Sequence, residues 1–209
     1  MVKELSLFPL NIVCYPGEIL NLHIFEPRYK QLMSECIADG KTFGIPAYVN
    51  NKLELGTEVE IIDVVKIYDD GRMDISILGL AVFVVVGFRN PVQDKLYSSG
   101  SVRIKIIDLA ADEEKVACIL DLVDRFYMKI GITNPFQKTK NHNSYSFAHK
   151  IGLSINEEYQ MLGMMEESQR LDFIIAHLMD TTPQLQEIER TKKKIAMNGH
   201  FKKFDALYF

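Results

Sequence analysis

What this sequence has little of sets the first limits. Only three cysteines, Cys14, Cys36 and Cys118, occur in 209 residues. They are odd in number, far apart and form no CxxC pair, which argues against a disulfide framework or a thiolate metal site. Each is expected to act as a small buried apolar residue. Long hydrophobic runs are missing too: the longest, Ile77–Phe88, has twelve residues including two glycines, too few to span a bilayer. The stretch Met1–Ser6 holds no apolar segment suited to export. Positive charge is in deficit, with 24 Lys and Arg against 28 Asp and Glu and a formal charge of −4, so the whole chain does not resemble a polyanion binder. The expectation is a soluble, cytoplasmic protein with no membrane partner.

What is present is an ordinary globular composition, 47% apolar and 25% charged. A chain of this length buries about 70% of its unfolded surface and needs no covalent staple. The first half alternates with period two. Leu20, Leu22 and Ile24 share one side of Glu18–Phe25, Thr57–Tyr68 is rich in Val and Ile, and Met73–Leu78, Ala81–Phe88 and Ser101–Asp108 continue the pattern. Asp70-Gly71 suits a type I′ hairpin turn. Several short strands broken by Gly, Asn and Pro predict a closed or nearly closed barrel, since closure removes exposed edges. One helix interrupts them: Pro27 fits its first position, Tyr29, Leu32, Met33, Cys36 and Ile37 recur at helical spacing, and Asp39-Gly40 stops it.

After Asp108 the period becomes 3.6. Asp112 can cap a helix whose Val116, Ile119, Leu120, Val123, Phe126, Tyr127 and Ile130 form one stripe ending before Gly131. A polar loop over 133–143, short helices at Tyr145–Ile151 and Asn156–Met164, and a helix over Ser168–Asp180 follow. Thr182-Pro183 is expected to open a last helix that Asn198-Gly199 closes. The expected division lies near residue 110, giving a β unit over 1–110 and a helical unit over 111–209.

Four segments then carry a resemblance: Leu7-Phe8-Pro9-Leu10, Tyr15-Pro16-Gly17, Leu22-His23-Ile24-Phe25-Glu26-Pro27-Arg28-Tyr29 and Phe43-Gly44-Ile45. In this order and spacing they resemble the N-terminal, substrate-binding domain of Lon proteases, whose pattern is LFPL, V-x-FPG, L-x-IFEPRY and FG[VI]. Tyr15 replaces the usual Phe of FPG. Gly56-Thr57 and Asp70-Gly71-Arg72 fall where the family has its VG and DG segments, while Leu80-Ala81 after Gly79 replaces an Arg-rich step. Arg170-Leu171-Asp172 and His177-Leu178 are similar to the helical part. The resemblance implies an α+β fold, a PUA-like β pseudo-barrel followed by an α-helical bundle. It also implies binding of unfolded or extended polypeptide in protein quality control, as an adaptor beside a protease or chaperone, with no cofactor. The family's ATPase and protease lie downstream of this module. No G-x-x-x-x-G-K-[ST] occurs, and Gly40-Lys41-Thr42-Phe43-Gly44 lacks its glycine frame. A free-standing, non-catalytic module is therefore expected, of unspecified oligomeric state.

The motif positions Phe8, Pro9, Pro16, Gly17, Phe25, Glu26, Pro27, Arg28, Tyr29, Phe43 and Gly44 read mainly as architecture. Phe25 would anchor a strand end, Glu26 would sit at a helix N-terminus, and Arg28 would pair with a neighbouring carboxylate or carbonyl. Candidate peptide contacts are Phe43, Ile45, Ala47 and Val49, offering a strand edge, and Met164 and Met165 at the barrel–bundle junction. The methionines also suit plain core packing. His23, His142, His149, His177 and His200 lack ligand spacing, so no metal site is assigned, and no G-x-S-x-G nucleophile motif occurs. Between Glu189 and Asp205 stand six basic residues against two acidic. The aromatic tail Phe201, Phe204, Tyr208 and Phe209 is expected to dock on the bundle or a partner. The alternative function is PUA-like RNA binding. It is disfavoured by residues 1–188, which carry 18 basic and 26 acidic side chains.

Overall fold

A computed structural model of the chain describes residues 2–90, 92–110, 112–136 and 142–197, with side chains described as far as residue 185. The elements run β1 (Val2–Leu7), β2 (Ile19–Ile24), α1 (Pro27–Asp39), β3 (Phe43–Pro46), β4 (Leu55–Ile67), β5 (Met73–Arg89), β6 (Ser98–Ile104), α2 (Glu113–Ile130), α3 (Ser144–Phe147), α4 (Ile155–Gly163) and α5 (Glu167–Met197), with a 3-10 turn at Ala148–Lys150. The class is α+β. The sheet order is β2-β5-β4-β3-β1-β6, and a further β5–β6 pairing closes five strands into a ring that leaves β2 outside. The ring is not a regular barrel. Its β1–β3 seam is parallel and short, held by Phe8 N to Gly44 O and Leu10 N to Pro46 O.

Strand β5 explains this shape. The expected break between Leu78 and Ala81 does not occur: Met73–Arg89 is one strand of 17 residues. Its first part pairs with β2 and with the second half of β4, and its later part pairs with the first half of β4 and with β6. Gly79 sits at the changeover because the Tyr15 carbonyl passes so close that a β-carbon there would lie 2.1 Å from its oxygen. Gly79 is needed for close approach and does not end the strand.

The hairpin turn also differs from expectation. Tyr68–Arg72 has a Gly71 N–H to Tyr68 carbonyl bond, and only Gly71 takes a positive φ. That is the three-residue form with one left-handed residue, so Asp70-Gly71 is no type I′ turn. The two-residue turn with both φ positive falls at Asn50-Asn51, between Val49 and Lys52, which exchange backbone bonds.

Local signals place the first helices as expected. Pro27 opens α1, and Gly40 ends it in the left-handed conformation with its N–H on the Cys36 carbonyl. Asp112 accepts from the N–H groups of Glu114 and Lys115 to cap α2, which stops at Gly131. Tyr29, Leu32, Met33 and Cys36 pack from α1 onto Ile24, Met73, Ile75 and Ile77, whereas Ile37 is exposed. Cys118, expected inside, is exposed on α2, and Cys14 and Cys36 are buried. The expected break at Thr182-Pro183 is absent: α5 runs through Pro183. Leu171, Ile174 and Leu178 hold the first half of this helix in the core, and the Thr182 hydroxyl bonds the Leu178 carbonyl just ahead of the proline. Packing outweighs the one backbone bond the proline removes. The Asn198-Gly199 stop and the tail Phe201, Phe204, Tyr208 and Phe209 lie outside the described residues.

The largest core cluster crosses from ring to bundle, joining Val13, Tyr15, Ala47, Val49 and Val82 to Ile119, Val123, Phe147, Met161, Leu171, Ile174 and Leu178.

Candidate functional site

The motif positions converge on packing. The Phe8 ring lies 4.1 Å from Tyr29 and 6.4 Å from Phe43, so three of the four motif segments meet in one aromatic cluster. Glu26 is the N-cap position of α1 but makes no side-chain cap bond. Its carboxylate instead pairs with Arg28 at 2.7 Å, and the Arg28 guanidinium lies over the Tyr29 ring. Gly17, at φ +80°, turns the chain after Pro16 and donates its N–H to Gly79. Gly44 pairs with Leu7 at the parallel seam. Phe25 departs from its expected role: it is 59% exposed, with its ring stacked beside that of His23 at 6.1 Å.

The expected peptide-contact strand is placed elsewhere than at the surface. Phe43, Ile45, Ala47 and Val49 are all buried, and β3 is paired with β4 on one side and β1 on the other. Its side chains fill the core and its edges are taken, because an apolar run buried on both faces is a central strand. Met161 is buried, while Met164 and Met165 are half-buried at the junction.

Uncovered apolar surface lies on a three-stranded arm formed by β2, the first part of β5 and the second half of β4. One face of the arm is covered by α1. Ile19, Phe25, Ile62, Val65 and Ile67 are exposed on it. Both outer edges lack a strand partner among the described residues, since β3 accompanies β4 only as far as Val59. The two edges differ. The β4 edge carries Glu60, Asp63 and Lys66 and is interrupted by register shifts at Ile61/Asp63 and Val64/Lys66. The β2 edge holds no Lys, Arg, Asp or Glu and is regular, with six successive pairs to β5 and no shift. Its outward side chains are tied across to β5 by Asn21–Ser76 and His23–Asp74 hydrogen bonds.

At the start of β2 a cleft of about 510 Å³ opens between ring and bundle, lined on one side by Pro16–Ile19 and on the other by Phe136, His142, Asn143, Tyr145, Ser146, His149 and Lys150. Tyr15 is the hinge pin beneath it. Its ring stacks on Tyr145 at 4.7 Å and its hydroxyl donates to the Glu158 carbonyl. His149 bridges the two parts, with Nδ1 2.7 Å from Glu158 and Nε2 3.2 Å from Glu18. Both partners are acceptors, so both ring nitrogens must donate and the imidazole is charged. Burial pulls its pKa down, but the bonds and charges of Glu18 and Glu158 outweigh that and hold it at about 9.

A second tie lies deeper. Arg170 is fully buried, donating to Ser144 Oγ, Glu167, and the carbonyls of Met164 and Asp108, while Glu167 accepts from the Ser144 N–H and hydroxyl. This binds the chain leaving β6 to the start of α5 and to α3. Among the described residues, no group of His, Cys, Asp or Glu is placed to hold a metal ion, and no helix is long and apolar enough to cross a membrane.

The comparisons with known proteins agree with this architecture. The family model for the ATP-dependent protease La (LON) substrate-binding domain matches residues 4–192. The chain belongs to that family. Among solved structures it is similar to a Lon N-terminal domain protein from Xanthomonas campestris, with 24% identity, a TM-score of 0.63, and coverage of 83% of this chain and 98% of that one. It is also similar to the N-terminal domain of a Mycobacterium avium complex Lon protease, with 12% identity, a TM-score of 0.58, and coverage of 85% and 99%. A search of curated proteins returns no match. Membership supports a substrate-recognition role, and the family's N-terminal domain is a non-catalytic module.

Sequence reasoning missed the free edge of β2, the Glu18–His149–Glu158 bridge and the Arg170–Glu167–Ser144 cluster. Only the first had a signal: Ile19–Ile24 alternates and holds no charge, yet its edge position depends on a partner strand fifty residues away.

Proposed function

We propose that this chain recognises polypeptide substrates in unfolded or extended form, as a non-catalytic unit of protein quality control acting in the cytoplasm beside a protease or chaperone. The observation that carries the reading is the arm: Ile19, Phe25, Ile62, Val65 and Ile67 stay exposed beside strand edges that have no strand partner among the described residues. Apolar surface of this kind suits segments that folding would hide. This surface belongs to the β unit proposed over residues 1–110, which meets the helical unit proposed over 111–209 at Tyr15 and His149. The body's excess of acidic side chains, 26 against 18 over residues 1–188, disfavours RNA as the ligand.

The test is fluorescence anisotropy of the full chain with three labelled probes: permanently unfolded β-casein, a folded globular protein and a structured RNA. Binding of β-casein alone, weakly dependent on salt, is the expected result. Binding of RNA with a steep salt dependence, or no preference for the unfolded probe, would contradict the reading.

A further inference from the structure

We propose that the open edge of β2, Ile19–Ile24, captures its partner as an added β-strand, and that the partner segment is extended, uncharged and rich in β-branched or aromatic residues. The inference rests on the polypeptide-binding reading above and names how that binding is made.

Strand β2 ends the sheet order. Its N–H and C=O groups alternate in direction, so those turned away from β5 have no backbone partner among the described residues. Only another extended backbone can satisfy such a row in register. Folded proteins guard exposed edges with charges, proline or bulges, because an unguarded edge pairs with whatever strand it meets. The β4 edge of the same arm is guarded in this way, by Glu60, Asp63, Lys66 and two register shifts. Nothing of the kind interrupts Ile19–Ile24.

Charge complementarity sets the chemistry of the partner. β2 holds no Lys, Arg, Asp or Glu, in a chain where a quarter of residues are of these types, and its one ionisable side chain, His23, is bonded to Asp74. The nearest carboxylates are already paired: Asp74 with His23, Glu26 with Arg28, and Glu18 with His149. A charged side chain laid along this strip would lose hydration and gain no counter-ion. Ile19 at one end and Phe25 just past the other are 60% and 59% exposed, leaving apolar contacts for a segment that spans the strand.

The experiment uses the full chain and a short labelled peptide of alternating valine and threonine, with a second copy of the peptide N-methylated at every amide. Anisotropy titrations are run on the wild type, Ile19→Lys and Ile62→Lys. The inference expects the plain peptide to bind, and expects N-methylation to weaken binding at least about tenfold, the worth of one or two backbone hydrogen bonds. Ile19→Lys should weaken it to a similar degree by setting an unpaired charge against the uncharged peptide. Ile62→Lys, on the guarded edge, should leave binding unchanged. If the two peptides bind alike, or if Ile62→Lys and not Ile19→Lys abolishes binding, strand addition at β2 is overturned while β-casein binding still upholds the polypeptide reading. A dimer that dissociates in Ile19→Lys and ignores the peptide also overturns it, assigning the edge to self-pairing. If neither the peptide nor β-casein binds, both readings fall together.

Discussion

At the junction between ring and bundle, Arg170 is buried with its donors spent on Ser144, Glu167, Met164 and Asp108. On the arm, β2 turns a row of backbone groups toward solvent, and among the described residues no backbone partner meets them. The same fold treats polar groups in opposite ways at two places. Where they are satisfied internally they hold the molecule together, and their removal should be felt as lost stability. Where they are left open, their removal should cost the fold almost nothing and cost binding a great deal.

The sharpest break of this contrast is Arg170→Met. It leaves Glu167 buried and unpaired, and the expected loss is about 3–5 kcal/mol in denaturant unfolding. Adding Glu167→Leu should recover only part of that loss: the second charge no longer needs a partner, but the buried Ser144 N–H and hydroxyl lose their acceptor. Next comes Gly79→Ala, whose new methyl would meet the Tyr15 carbonyl oxygen at 2.1 Å. A loss of about 2–3 kcal/mol is expected, with β2 displaced from β5.

His149→Gln is a smaller change and depends on pH. The folded pKa of about 9 lies above the ordinary value of 6.5, so the folded state binds this proton more tightly than the unfolded chain. The contribution is therefore complete below about pH 6.5 and fades as pH rises through about 9. The side chain is 30% exposed, and allowing for screening the expected deficit of His149→Gln is about 1–2 kcal/mol near neutrality. Thermal melts at a series of pH values should show the gap to wild type closing in the alkaline range. A constant gap would remove the charged bridge from the account.

Tyr145→Phe tests the junction from the other side. The Tyr145 hydroxyl is the buried side-chain polar atom left without a hydrogen bond among the described residues. Deleting it should leave stability unchanged or raise it by up to about 1 kcal/mol. The smallest stability effect belongs to the arm: Ile19→Lys and Phe25→Ser should stay within about 0.5 kcal/mol of wild type, even as Ile19→Lys weakens peptide capture at least about tenfold.

How far the sequence reveals these two places depends on how local their causes are. Pro27, Gly40, Asp112 and Gly131 mark helix ends by their own backbone and side-chain chemistry, so α1 and α2 are legible from a few neighbouring letters. The motif residues Phe8, Tyr29 and Phe43 are legible as architecture for the same family-wide reason, and they do meet in one cluster. Phe43–Val49 misleads because an apolar run does not say whether its edges are occupied, and here β1 and β4 occupy both. Gly79 looks like a strand break until the Tyr15 carbonyl is seen against it. Pro183 looks like a helix start until the packing of Leu171, Ile174 and Leu178 is known. Arg170 is harder to read: a charged residue near the start of a helix belongs on the surface unless partners converge on it. Apart from Glu167 on its own helix, these are Ser144 and the carbonyls of Met164 and Asp108, from three other segments of the chain.

Hydrogen exchange followed amide by amide, with and without saturating β-casein, tests the central claim most directly. Alternate amides of Ile19–Ile24 face away from β5 and should exchange fast in the free protein. On adding the unfolded probe those amides should slow, while the amides of 60–67 on the guarded edge of β4 and those of the helical bundle stay as they were. Protection confined to 60–67 or to the bundle, with the β2 edge still exchanging freely, would contradict the account.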